Sequence, residues 1–175
     1  MNLDDILKQV PVDDIAERFG VSPDVARRAA EEGGAALLGG LAKNAETAEG
    51  SSAIEKALSR HEGFTGASSV DDVDAADGEK IIGHVFGGDE KQVVEGLTAS
   101  EKTAGGIDFG KLLPVLAPIV MGLIANANKD KSGGGGIGDL IGGLLGGGQN
   151  GGGQNDGGLA GSIGDLLGGL LGGRK

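Results

Sequence analysis

The stretch from Leu112 to Ala125 leaves a folded chain few choices. Wound as a helix, Leu112, Leu113, Val115, Leu116, Ile119, Val120, Leu123 and Ile124 cover almost every side of it. A helix apolar all round is buried centrally or lies in lipid. The run falls short of the roughly 20 residues a membrane span needs. The expectation is a core helix, the longest of the chain, running from Asp108, a good N-cap, to about Asn128. Pro114 and Pro118 each remove a backbone donor and bend it.

Other helices must supply the cover. Aromatic residues are 2% of the 175, with no Trp or Tyr, so the core is built from Leu, Ile, Val and Ala. Leu3, Ile6, Leu7 and Val10 mark a first short helix stopped near Pro11. A second covers Val12 to Phe19 with Ile15, Ala16 and Phe19 inward, and Gly20 ends it. Ser22 is a natural N-cap and Pro23 suits the first helical position, so a third runs from Pro23 to about Glu32. Gly33-Gly34 reads as a break, followed by a helix over Ala35–Ala48 and another over Ser52–His61. The segment Thr65–Gly78 reads as a surface loop, and helices resume over Glu79–Phe86 and onward to Leu97, the latter with Asp89 and Gln92 spaced as a capping box. The fold class expected is all-α, a compact multihelical body over 1–130 with a glycine-rich, low-complexity C-terminal tail over 131–175.

The tail contains one phrase twice. Residues 137–147 read IGDLIGGLLGG and residues 163–173 read IGDLLGGLLGG. In the first copy Ile137, Leu140, Ile141, Leu144 and Leu145 share one helix face; in the second, Ile163, Leu166, Leu167, Leu170 and Leu171 do. Glycines recur at every fourth position, a spacing that lets another backbone come close. Each also costs about 1 kcal/mol against alanine in a helix, so neither copy is expected to persist without a surface to pack on. Ser162 and Asp165 have capping-box form at the start of the second copy. The intervening Gly/Gln/Asn stretches are linkers by composition. These ten aliphatics are the expected self-association or partner contacts.

Charge narrows the partners. The net charge is −11, and the acids are concentrated before the tail. Such a body repels phosphate backbones and anionic lipid. There is no cysteine, which excludes disulfides, thiolate metal sites and cysteine nucleophiles. The acidic N-terminus lacks the basic-then-apolar order of a secretory signal, and the expected location is cytoplasmic.

Several segments invite a sharper reading. Residues 12–32 have the small residue, turn glycine and cap of a helix-turn-helix, with Arg27 and Arg28 placed to face DNA. That hairpin holds six acids and three bases, the wrong sign for it. Asp71, Asp72, Asp74 and Asp77 resemble a calcium loop, but counted from Asp72 the sixth position is Asp77 rather than Gly and the twelfth is Gly83 rather than Glu. The acidic loop over 71–77 reads instead as a cap for the next helix. His61 and His84 lack the spacing of a convergent metal site. No phosphate-cradling loop and no nucleophile elbow occurs. The expectation is a non-enzymatic protein with no metal and no cofactor, whose tail binds itself or another protein. The alternatives are a DNA-associated regulator using the 12–32 hairpin and a membrane-associated assembly factor.

The segments IAERFGVSPDVARRA, ALLGGLAKNA, ALSRHEGF, DGEKIIGHVFGG and LLPVLAPIVMGLI together resemble the YidB-like bacterial family, a domain of unknown function numbered nine-three-seven. The most specific pieces are Gly78–Gly87 and Leu113–Pro118, and the resemblance spans most of residues 1–128. It implies a compact multihelical fold and no established activity, so no catalytic residue carries over. Within that family's glycine-histidine-aliphatic-phenylalanine motif, His84 is expected to serve packing or hydrogen bonding.

Overall fold

The computed structural model describes residues 3–64, 66–67, 69–100, 106–130 and 136–145. Among the described residues the chain is all-α, with no strand. The helices are α1 (Leu3–Leu7), α2 (Val12–Phe19), α3 (Pro23–Ala45), α4 (Ala48–Leu58), α5 (Ala75–Phe86), α6 (Glu90–Thr98), α7 (Phe109–Asp130) and α8 (Ile137–Leu145). Short 3₁₀ turns at Val70–Asp72 and Gly87–Asp89 complete the path.

The apolar run occupies the centre, as its periodicity demands. Every residue of α7 from Leu112 to Ala125 is buried. By length and composition α7 would suffice to cross a bilayer, yet 83% of its most apolar window is buried inside the bundle. α5 lies along it most extensively, then α3, with α4, α6 and α8 on its flanks. α1 and α2 pack on α3.

The first turns follow their local chemistry. The left-handed Gly20, at φ 67°, ends α2, and its N–H bonds back into the last turn. Ser22 caps α3 by accepting from the Val25 N–H at 3.3 Å. The acidic loop caps as expected: Asp74 Oδ1 accepts from the N–H groups of Ala76 at 3.0 Å and Asp77 at 3.2 Å. Helix α5 therefore starts four residues before Glu79. Asp89, by contrast, makes no side-chain cap to α6, because a 3₁₀ turn intervenes.

The largest departure is at Gly33-Gly34. α3 does not break there; it runs unbroken for 23 residues and is longer than the 22-residue α7. These glycines serve packing, not punctuation. A Cβ on Gly33 would stand 2.8 Å from Leu116 Cδ1 and 3.3 Å from Leu113 Cδ2. Further along, a Cβ on Gly40 would meet Val85 at 2.5 Å and the Phe86 ring at 2.8 Å. Small residues let α3 settle on α7 and α5, and the burial gained there outweighs the roughly 1 kcal/mol each glycine costs a helix.

The folded unit also extends past 130, where the sequence suggests its end. α8 is the first tail copy, and it lies on the body rather than apart from it.

Candidate functional site

Two places combine unusual chemistry with a defined geometry. The first is the seat of α8. Its helix is rich in glycine and would not hold by propensity. What holds it is the face of Ile137, Leu140, Ile141 and Leu144, all buried, with Leu145 partly so. Each such burial contributes about 1.5–3 kcal/mol. The cradle is formed chiefly by α3, with α4 and α7 beside it. Gly138 marks the register: a Cβ built there would lie 3.7 Å from the Cβ of Ala45, ordinary contact.

The recurrent glycines of α8 are thus not spent on close approach to the body. Gly142 and Gly143 are exposed, and a Cβ on either would meet nothing within 4 Å. Tight helix–helix contact is made instead by Gly33, Gly40 and Gly78 within the body, while Gly122 of α7 makes room for the Phe64 ring of the segment after α4. Of the ten expected tail contacts, the four buried ones of the first copy are covered by their own chain. Ile163, Leu166, Leu167, Leu170 and Leu171 of the second copy lie outside the described residues.

The second place is a cleft of about 330 Å³ between α4 and α5, floored by Leu41, Ile54, Ile81 and Met121. Lys56, Arg60 and Lys80 stand among its lining, as do both histidines. His61 Nε2 lies 3.2 Å from Asp77 Oδ2, so the turn that follows α4 is tied to the first turn of α5. His84 Nδ1 is 2.7 Å from the Lys80 carbonyl oxygen, one turn back on its own helix. Asn44, at the inner end, donates from Nδ2 to the carbonyls of Gly40 at 3.1 Å and Val85 at 2.8 Å, joining α3 to α5. Nothing in the sequence spacing links His61 to Asp77 or Asn44 to Val85; only the folding of α4 and α5 across α3 brings them together. Among the described residues no three His, Cys, Asp or Glu groups converge as a metal site.

The hairpin formed by α2 and α3 is fastened to the acidic loop. Asp14 Oδ2 accepts from the Val70 N–H at 2.6 Å and from Ser69 Oγ at 2.8 Å. The backbone donor first, and the Ser69 hydroxyl second, hold its carboxyl below the ordinary aspartate value. Arg18 pairs with Asp71 at 2.7 Å. Ala26 and Ala29 are fully buried, so their small size serves close packing. Arg27 and Arg28 are both exposed. Arg27 and Lys8 share a shallow depression with Asp13, Asp14 and Glu17, and the three carboxylates outnumber the two bases and oppose a phosphate there.

The family comparison matches residues 2–127 to a bacterial protein of unknown function (DUF937). The chain belongs to that family. The match takes in α1 through most of α7, including both the cleft and the helices that seat α8. Comparison with curated proteins and with solved structures gave no match. Two segments within the matched range meet in space: α5, carrying Gly78–Phe86, packs most extensively on α7, carrying Leu113–Pro118.

Proposed function

We propose that this is a non-enzymatic, cytoplasmic, YidB-like protein whose body is a scaffold and whose glycine-rich tail mediates self-association or partner binding. One observation carries the reading: the first copy of the tail phrase buries four aliphatics of a single face against helices. A segment with this sequence therefore binds an apolar helical surface, and the chain contains it twice. The body offers one cradle for two such segments. The surplus copy carries five aliphatics at the same spacing, and Gly142 and Gly143 leave an open, side-chain-free edge on α8 itself.

The acidic setting of Arg27 argues against a DNA-associated role, and the burial of α7 against a membrane role for that helix. The reading requires no metal and no cofactor.

The test is affinity purification of the full chain from its own cells, beside the Leu144→Asp/Leu170→Asp variant. Copies of the chain or partners retained by the wild type are expected to be lost from the variant. Identical retention by both would show that the tail makes no contact between molecules.

A further inference from the structure

The cradle has one occupant but two candidates. Residues 137–147 and 163–173 agree at ten of eleven positions, and the one difference, Ile141 against Leu167, conserves an aliphatic of the same size. Every group that seats α8 has its counterpart: Ile163 for Ile137, Leu166 for Leu140, Leu167 for Ile141, Leu170 for Leu144, and Gly164 for the Gly138 that rests on Ala45. Ile-to-Leu exchange with repacking is among the mildest changes a core accepts. A surface that binds one copy therefore binds the other.

We infer that segment 163–173 is a second ligand of the α3–α4–α7 cradle and replaces α8 there, in the same molecule, whenever the first copy is withdrawn. The inference rests on the proposed role of the tail and explains how that role is compatible with a stable body.

Connection length decides the order of occupation. Residues 131–136 join α7 to the first copy, whereas 131–162 join it to the second. A glycine-rich connection of about 30 residues reaches on the order of 30 Å, enough to return to the bundle. Closing the longer loop is disfavoured about tenfold relative to the shorter. The first copy thus has the advantage for the cradle, and it is the one seen there. Short tethers also give effective concentrations in the millimolar range, so exchange within one molecule precedes exchange between molecules at micromolar protein. The consequence is specific. A partner that captures the first copy does not leave Leu- and Ile-lined surface bare; it gives up about a factor of ten, not the whole of the docking energy.

The chain has no cysteine, which makes the docking directly readable. The separation of 3.7 Å between Ala45 Cβ and a Cβ at position 138 is close to the Cβ–Cβ distance of a disulfide. Full-length Ala45→Cys/Gly138→Cys should close an intramolecular disulfide under mild oxidation and serves as the reference. Full-length Ala45→Cys/Gly164→Cys should close one too, about tenfold more slowly. Adding Leu140→Asp and Leu144→Asp, which disable the first copy, should bring its rate to that of the reference or above. Circular dichroism checks that each variant stays folded, and the variant with an intact first copy gives a reading even if the Asp substitutions unfold the chain. No disulfide from position 164 in either background, with the reference closing normally, overturns the inference. A product that is only intermolecular overturns the assignment to a single molecule. If position 164 does not close while Leu144→Asp/Leu170→Asp still abolishes association, the tail's role stands and the shared cradle fails; closure without any association gives the reverse.

Discussion

Gly78 lies directly against the main chain of Pro114: a Cβ added at Gly78 would collide with the Pro114 carbonyl oxygen. The reason is in the α7 sequence. An α-helix bonds the carbonyl of residue 114 to the N–H of residue 118, and Pro118 has none. The carbonyl is left without its helical donor, and α5 approaches it along a glycine, where Cα–H groups meet the oxygen. Gly78→Ala is expected to destabilise the protein by about 1–3 kcal/mol, since backbone rather than a flexible side chain must give way. Gly83, on the same helix, has nothing within 4 Å of its missing Cβ. Gly83→Ala should be neutral or stabilising, by up to about 1 kcal/mol. Denaturant unfolding of the two variants checks the contrast; equal effects would mean that α5 does not ride on the Pro114 carbonyl.

Leu116 is 1% exposed and lies against Gly33 of α3. Leu116→Asp puts a carboxylate into that contact among aliphatic neighbours. The expected loss is more than about 4 kcal/mol, or a chain that does not fold. An unchanged thermal midpoint would show that this part of α7 faces water.

The Asp14 carboxylate, held below its ordinary value by Val70 and Ser69, makes a pH-dependent contribution. The native carboxyl binds its proton at lower pH than the unfolded one. Its contribution is therefore complete above the ordinary aspartate value of 3.8 and is lost as pH falls through the lower native value. Thermal midpoints measured from about pH 6 down to about pH 2 should fall less steeply below that value in Asp14→Asn, which should already be destabilised near neutral pH. Parallel curves for the two proteins would contradict the assignment.

Much of the fold was legible in the sequence because local chemistry and tertiary packing agree. Gly20, Ser22 and Pro23 set the α2–α3 corner, and the all-apolar face of Leu112–Ala125 set the core. The failures come where glycine has two meanings. Gly33-Gly34 looks like a break by propensity, but the missing side chain of Gly33 is what Leu113 and Leu116 require. The five-residue face of the first tail copy was visible as a sticky surface; its attachment to the chain's own α3 was not, because periodicity shows that a face is buried without showing against what. The pairing of His61 with Asp77 is likewise a product of topology.

In the proposed function the surplus tail copy joins molecules while the body stays intact. Sedimentation velocity of the full chain over a range of concentrations tests it most directly, with Leu166→Asp/Leu170→Asp as the comparison, since these substitutions leave the first copy in its cradle. The wild type is expected to sediment above the mass of a single chain with rising concentration, whereas the variant remains a folded monomer. Association of the same extent in both proteins, or a wild type that stays monomeric throughout, would contradict self-association through the tail.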